Sequence, residues 1–261
     1  MKNSEMPIGL FDSGIGGTSI WKEIHALLPN EDTIYLADSK NAPYGQKTKE
    51  EIIDLSVKNT EYLLNLNCKM IVVACNTATT NAIKHLRQKY PEVPFIGIEP
   101  AIKPAAVSTK TQKIGILATK GTLNSELFHK TVSTYSNIKI IEQVGYNLVA
   151  LIESGKINSP EMKELLIAYL KPMVDADIDY LVLGCSHYPY LVPQIKEILP
   201  PHVKIIDSGE AVARQTKIIL EKNNLVNSSR HHAQNTFYIN SNPFVLNDIL
   251  DNKYTIEQKD F

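Results

Sequence analysis

The sequence has little of what membrane proteins and disulfide-stabilised proteins need. Only three of its 261 residues are cysteines, at positions 68, 75 and 185. An odd count without disulfide-like spacing, in a chain whose first residues form no apolar signal region, predicts free thiols and a cytoplasmic location. The apolar runs are all short, far below the roughly 18 residues that a membrane-spanning helix needs.

The chain also lacks a charge excess of either sign. Its 27 basic and 28 acidic residues give a formal net charge of −1, and no block of like charge interrupts it. We therefore expect neither a nucleic-acid track nor a membrane-surface patch, and a small molecule is the expected partner. Cys185 and His187 have no second ligand pair elsewhere, so no metal site is predicted.

Short runs rich in Val, Ile and Leu alternate with longer helical patterns along the whole chain. This alternation predicts an α/β protein with mostly parallel sheets flanked by helices. The predicted strands are Ile8–Phe11, Thr33–Leu36, Met70–Ala74, Phe95–Ile98, Lys113–Leu117, Ile138–Ile141, Tyr180–Gly184, Val203–Ile206 and Thr236–Ile239. The predicted helices are Thr18–Leu28, Thr48–Leu66, Thr77–Lys89, Asn124–Tyr135, Pro160–Val174, Pro189–Leu199 and Gly209–Glu221.

An internal repeat indicates two pseudo-symmetric halves. Ile8-Gly9-Leu10-Phe11 and Ile114-Gly115-Ile116-Leu117 are each followed by a polar turn and, at a similar distance, by a strand that ends in a cysteine. We predict one α/β domain from 1–99 plus 212–261, which carries Cys75, and a second from 100–211, which carries Cys185. The active site is expected in the cleft between the two domains.

Both cysteines come directly after short buried runs, Met70–Ala74 and Tyr180–Gly184. The carboxyl ends of parallel strands are where open α/β sheets bind ligands. Asn76 and Thr77 are suited to cap the following helix. Because a helix N-terminus lowers the pKa of a thiol, the two cysteines are interpreted as a matched pair of thiol bases.

Other polar residues follow strand ends near the thiols. The turn from Asp12 to Ser19 is an incomplete dinucleotide fingerprint, because Ser19 replaces its third glycine; it favours a small anion or a plain tight turn. Asp12 and His187 are candidates to assist the thiols, with a helix cap and a structural histidine as the alternatives. Glu153 is interpreted as a surface residue, with a partnership with His187 as the alternative. Cys68 is expected to be inert, because it precedes its strand.

Four motifs give the chain a family resemblance. They are Gly9-Leu10-Phe11-Asp12-Ser13-Gly14-Ile15-Gly16-Gly17, Ala42-Pro43-Tyr44-Gly45, Ala74-Cys75-Asn76-Thr77-Ala78 and Gly184-Cys185-Ser186-His187-Tyr188-Pro189. In this order and at these spacings the sequence resembles the cofactor-independent aspartate/glutamate racemases, and within them the glutamate branch. The resemblance covers residues 8 to about 210.

The resemblance implies a racemase that inverts glutamate with two opposed thiols and uses no cofactor or metal. It implies that Cys75 and Cys185 are the acid/base pair, assisted by Asp12 and His187. It further implies substrate binding by Asp12, Ser13, Pro43, Tyr44, Gly45, Asn76, Thr77, Thr119, Ser186 and His187. D-glutamate supply for peptidoglycan follows from the same resemblance, and a homodimer is compatible with it.

Two alternatives stay open at this point. An aspartate racemase, or a racemase of another amino acid, would use the same scaffold, and a non-catalytic amino-acid-binding protein would have the same cleft. Most relatives have threonine where this chain has Ser186, which keeps the hydroxyl but loses a methyl group. This difference predicts a changed fit in the pocket rather than a loss of activity.

Overall fold

The protein, described here from a computed structural model, is an α/β structure built on two parallel sheets. The structure describes residues 3–229 and 233–261. Within them the strands are β1 (Ile8–Asp12), β2 (Thr33–Ala37), β3 (Met70–Val73), β4 (Phe95–Gly97), β5 (Lys113–Ala118), β6 (Lys139–Val144), β7 (Tyr180–Gly184), β8 (Lys204–Ile206), β9 (Asn235–Ile239) and β10 (Ile256–Gln258). Each strand pair is parallel. The predicted fold class is confirmed.

The two sheets repeat the same strand order. The larger sheet runs β10-β9-β2-β1-β3-β4, and the smaller runs β6-β5-β7-β8. β1 and β5 are therefore equivalent, as are β3 and β7. Since Cys75 follows β3 and Cys185 follows β7, the repeat places both cysteines at equivalent carboxyl ends, as the sequence predicted.

Helices cover the faces of both sheets. They are α1 (Thr18–Leu27), α2 (Lys49–Asn65), α3 (Asn76–Lys89), α4 (Ile102–Ser108), α5 (Lys120–Leu123), α6 (Glu126–Ser133), α7 (Leu148–Glu153), α8 (Pro160–Asp175), α9 (Val192–Ile198), α10 (Gly209–Lys222) and α11 (Phe244–Ile249). Thr48 and Glu51 form a reciprocal capping box at the start of α2, and Ser159 caps α8 just before Pro160. These caps satisfy backbone amides that a helix start leaves unpaired.

Prolines explain two differences from the sequence prediction. Pro104 lies in the first turn of α4, a helix that was not predicted, and its missing N–H costs no hydrogen bond there. The single helix predicted from Pro189 is split into a 3₁₀ turn, Tyr188–Leu191, and α9. Pro193 lies in the first turn of α9, where a proline suits a new helix start better than a helix interior. The short elements α4, α5, α7, α11 and β10 were not among the predicted helices and strands.

The hydrophobic core has three parts. A central cluster contains residues from both sheets, among them Leu10, Val72 and Leu183. Phe11 and Val73 point to the opposite face of the larger sheet and pack in a second cluster, while Ile116 and Val182 do the same in the smaller sheet. The alternation of side chains along each strand thus buries both faces of both sheets.

The C-terminal segment returns to the larger sheet. β9 pairs with β2, from Thr33 opposite Asn235 to Ala37 opposite Ile239, and β10 pairs with β9. The precise boundaries of the two domains, after residues 99 and 211, stay a prediction. Among the described residues, none of the helices combines the length and apolar character needed to cross a membrane.

Candidate active site

The two cysteines predicted to act together open onto one small cavity. Cys75 is 4% exposed and Cys185 is 6% exposed. The cavity has an empty volume of about 240 Å³. Its lining residues come from the carboxyl ends of both sheets and are Ser13, Pro43, Tyr44, Gly45, Cys75, Asn76, Thr77, Thr119, Val149, Cys185, Ser186 and His187.

Every predicted substrate-binding residue except Asp12 lies in this lining. Val149 was missed by the sequence reasoning, because it is one apolar residue within an apolar helix and carries no chemical signal. Cys68 lies away from the cavity and packs beside Gly9. Burial raises the pKa of the Cys68 thiol to about 12, as befits an inert side chain.

Cys75 is itself the N-cap residue of α3. Its sulfur accepts a hydrogen bond from the backbone N–H of Ala78 at 3.4 Å and lies 3.7 Å from the Ser13 hydroxyl oxygen. The prediction that Asn76 or Thr77 would cap this helix is therefore wrong. The first helical residue is Asn76, and its side-chain amide, 2% exposed, has no hydrogen-bond partner among the described residues.

The predicted lowering of the Cys75 pKa is also wrong. Burial raises this pKa strongly, and the nearby Asp12 carboxylate raises it further. Hydrogen bonds from Ala78 and with Ser13 act in the opposite direction but are outweighed. The helix N-terminus therefore does not offset the loss of hydration, and Cys75 keeps its proton at neutral pH in this environment.

His187 accompanies Cys185 and carries a proton. Its Nδ1 lies 3.8 Å from the Cys185 sulfur, and its Nε2 lies 2.6 Å from a carboxylate oxygen of Glu153. Burial alone lowers the pKa of His187, but the hydrogen bonds with Cys185 and Glu153, together with the charge of Asp12, raise it well above its ordinary value. The resulting imidazolium can stabilise negative charge that develops on the neighbouring sulfur.

Asp12 lies beneath the cavity. It is fully buried, and its carboxylate accepts hydrogen bonds from the backbone N–H groups of Gly14 and Gly17 and from the Ser186 hydroxyl at 3.0 Å. Burial raises the pKa of Asp12, and the charge of His187 opposes that rise. Asp12 thus makes the backbone contacts of a helix cap, which was the alternative role considered for it. It also orients the hydroxyl of Ser186, which follows a strand of the smaller sheet.

Glu153 is a partly buried residue that bridges several elements, and its interpretation as a surface residue was wrong. Its side chain is 14% exposed. One carboxylate oxygen accepts from the backbone N–H of Ile15 at 2.7 Å, and the other accepts from the Ser39 hydroxyl at 2.7 Å. With His187 as the third partner, Glu153 connects two loops of the larger sheet to the Cys185 side of the cavity. No sequence spacing signals this, because all three partners are distant along the chain.

The hydroxyl groups of the other cavity residues already have hydrogen-bond partners within the protein. The Tyr44 hydroxyl donates to Asp38, so its single proton is not available to a ligand carboxylate. The hydroxyls of Thr77 and Thr119 lie 2.8 Å apart and join the two halves across the cavity wall. The backbone of Gly45 packs against Thr119, where any larger residue would meet that side chain.

Comparisons with known proteins all indicate one family. The family model described as Asp/Glu/Hydantoin racemase matches residues 8–216. The glutamate racemase of Ectopseudomonas mendocina is 44% identical over 242 residues, covering 92% of this chain and 91% of its own. That of Ralstonia pickettii is 49% identical over 212 residues, covering 81% of this chain and 75% of its own.

A solved structure extends the agreement to three dimensions. Escherichia coli glutamate racemase, crystallised with L-glutamate and the activator UDP-MurNAc-Ala, superposes with a TM-score of 0.86 at 32% identity, covering 97% of this chain and 98% of that one. The family model spans most of the chain, and these relatives and this structure match it over four fifths of its length or more. The chain therefore belongs to the Asp/Glu/Hydantoin racemase family and is an isomerase of the racemase type.

Proposed function

We propose that this racemase interconverts L- and D-glutamate by proton transfer between two thiols, with no cofactor. The observation that carries the proposal is the shared cavity of Cys75 and Cys185, each delivered by an equivalent strand of a repeated fold. The names of the relatives and the glutamate bound in the E. coli enzyme support the choice of substrate.

The reaction needs a base on one face of the α-carbon and an acid on the other. A thiolate removes the α-proton and becomes a thiol, and the electron pair of the C–H bond is left on the α-carbon, next to the carboxylate. The opposing thiol then gives its proton to the other face and becomes a thiolate. No atom is gained or lost, and the two groups exchange roles when the direction reverses.

The surroundings of the two thiols suit one half of this cycle. Cys75 holds its proton and is ready as the acid. On the opposite side, His187, whose pKa is raised, places a cation 3.8 Å from the Cys185 sulfur, and a cation in this position favours proton removal by that sulfur. After one turnover Cys185 holds the proton taken from the α-carbon and Cys75 is the thiolate, so the enzyme is ready for the enantiomer.

Binding groups for the substrate surround the two sulfurs. The unpartnered Asn76 amide offers both a donor and an acceptor inside the cavity, and a buried amide without a partner is costly unless a ligand satisfies it. The hydroxyls of Ser13, Thr77 and Ser186 complete the polar wall. Fixed donors of this kind also stabilise the negative charge that develops during deprotonation.

The test is incubation of the pure protein with L-glutamate in D₂O. Circular dichroism follows the loss of optical activity, and NMR follows deuterium at the α-carbon. We expect both to change without any added cofactor. If the α-proton of L-glutamate does not exchange and its optical activity stays constant, the proposed reaction is wrong.

Three cysteine variants separate the roles of the thiols. Cys75→Ser and Cys185→Ser should each abolish racemisation while leaving the far-UV spectrum unchanged, because a serine hydroxyl is a far weaker acid than a thiol. Cys68→Ser is the matched control and should keep near-normal activity, since Cys68 lies away from the cavity. A large loss of activity in Cys68→Ser would contradict this assignment.

The same assay distinguishes the competing functions. Faster exchange with L-aspartate than with L-glutamate would identify an aspartate racemase on this scaffold. Saturable binding of glutamate without exchange would identify a non-catalytic binding protein. The two intact thiols in one cavity favour catalysis, because binding alone needs no acid and base on opposite sides.

The proposed activity has a cellular consequence. D-glutamate is a component of peptidoglycan, so we place the enzyme in its supply, in the cytoplasm. A strain that lacks the gene should then need D-glutamate for growth, and normal growth without it would contradict this role. A homodimer is proposed as the assembly, and light scattering of the pure protein would show a monomer if this is wrong.

A further inference from the structure

A large basic groove lies beside the thiol cavity. It has an empty volume of about 1950 Å³, including the solvent in its mouth, and it runs between α2 and α3 on one side and α5 and α6 on the other. Six cationic side chains line it: Lys47, Lys49, Lys84, Arg87, Lys120 and Lys130. We call this surface the basic groove.

The lining of the basic groove carries more positive than negative charge. Only two acidic residues, Glu99 and Glu126, share its lining with the six cations, so it carries a surplus of four positive charges. Within residues 3–229 and 233–261, none of the six cations forms an ion pair. The whole chain, in contrast, has a formal net charge of −1.

The basic groove adjoins the thiol cavity. Gly45 lines the groove, the thiol cavity and a further small cavity, and Lys120 of the groove follows Thr119 of the thiol cavity. The backbones of Gly45 and Gly121 meet where these cavities join, since a Cβ added to Gly121 would lie 3.1 Å from the Gly45 Cα atom. The groove therefore adjoins the thiol cavity at Gly45 and at the chain segment from Thr119 to Gly121.

We propose that the basic groove is the entry surface for the substrate and steers anionic amino acids towards the thiol cavity. This inference rests on the proposed function. Glutamate carries two carboxylates and one ammonium group at neutral pH, so it is a net anion. A cleft lined by charge of one sign raises the local concentration and the association rate of a ligand of opposite charge, by about 10- to 1000-fold in strong cases.

The position of the charges determines how the effect should respond to salt. Lys49, Lys84 and Lys130 are all exposed, so dissolved ions screen them effectively. The screening length is about 30 Å at 0.01 M ionic strength and about 3 Å at 1 M. Steering should therefore be strong at the lower ionic strength and nearly absent at the higher one.

The experiment neutralises three of the exposed lysines together, as Lys49→Gln, Lys84→Gln and Lys130→Gln. None of them lines the thiol cavity, and none makes a side-chain hydrogen bond in the described chain. We expect kcat/KM for L-glutamate to fall about tenfold at 0.01 M salt, at the low end of steering effects. At 1 M salt the kcat/KM of the variant should approach that of the wild type, and its kcat should stay close to the wild-type value at both salt concentrations.

A matched control removes the same charge elsewhere. Lys139→Gln, Lys196→Gln and Lys222→Gln also change three exposed lysines without ion pairs, and none lines the basic groove. This variant should keep the wild-type kcat/KM at both salt concentrations. Equal behaviour of the two triple variants, or a loss in the groove variant that does not depend on salt, would overturn the proposal. A wild type that does not racemise glutamate would instead overturn the proposed function.

Discussion

Replacing Glu153 with glutamine tests whether the bridge to His187 contributes to proton transfer. Glutamine keeps the size of the side chain, and its single carbonyl oxygen can still accept from His187 and from the Ile15 N–H. Its NH₂ group can turn towards the Ser39 hydroxyl, which the second carboxylate oxygen contacts in the wild type. The substitution therefore removes mainly the negative charge that helps to keep His187 protonated.

The expected magnitude follows from the change in hydrogen-bond type. A hydrogen bond to a charged group contributes about 1.5–3 kcal/mol, and one between neutral groups about 0.5–1.5 kcal/mol. The difference of about 1–2 kcal/mol corresponds to a roughly 5- to 30-fold decrease in rate if it is all expressed in the transition state. We expect Glu153→Gln to lower kcat/KM for glutamate within that range.

The assay can also identify the thiol that is affected. Enantiomers have equal free energies, so kcat/KM must fall equally in both directions. The isotope effect with α-deuterated substrate need not be equal, because His187 lies beside Cys185 and not beside Cys75. We expect the isotope effect to rise only for the enantiomer from which Cys185 removes the proton.

Glu164→Gln is the matched control for this prediction. Glu164 lies on the exposed face of α8 and makes no ion pair in the described part of the chain, so its loss should not change kcat/KM. If Glu153→Gln keeps the wild-type kcat/KM, or raises the isotope effect equally for both enantiomers, then the Glu153 carboxylate does not act through His187 on Cys185.

Three further predictions concern packing, charge burial and pH. The methyl group of Gly16→Ala would overlap the His187 ring. We therefore expect kcat/KM to fall by at least about tenfold, a cost of about 1.4 kcal/mol, with an unchanged far-UV spectrum. Near-normal activity would show that the position of the His187 ring is not critical. Lys69→Met should lower the free energy of unfolding by about 3–5 kcal/mol in urea titrations, since it leaves the Glu31 carboxylate buried without its cation; a loss below about 1 kcal/mol, the range of exposed ion pairs, would contradict this. The pKa of His187 is raised in the folded protein, so the contribution of its protonation to stability is complete below the unfolded pKa of about 6.5 and is lost as the pH rises through the folded pKa. The difference in unfolding free energy between wild type and His187→Asn should therefore shrink as the pH rises. A difference that stays constant with pH would refute this prediction.

Local sequence patterns were sufficient for the fold and for most of the cavity. Buried parallel strands need continuous apolar runs, and their carboxyl ends need small or polar residues, so Cys75 and Cys185 could be placed at equivalent strand ends. The short elements α4, α5, α7, α11 and β10 were missed because a few residues carry too little periodicity to predict a helix or strand.

The direction of the pKa shift at Cys75 could not be predicted from local sequence patterns. The helix start beside Cys75 predicted a lowered pKa, but the pKa is raised because the surrounding protein removes water from the sulfur. Burial of this kind depends on elements far apart in sequence. The contacts of Glu153 depend on the same long-range packing, as do those of Asp12 with Ser186.

The sequence by itself thus determined the α/β class, the internal repeat and the pair of thiols, because these depend on residue type and spacing along the chain. Only the tertiary structure decided that Glu153 holds His187, that Cys75 stays protonated, and that six dispersed cations form one groove. Charges scattered along a sequence of nearly zero net charge become a concentrated field only when folding brings their helices together.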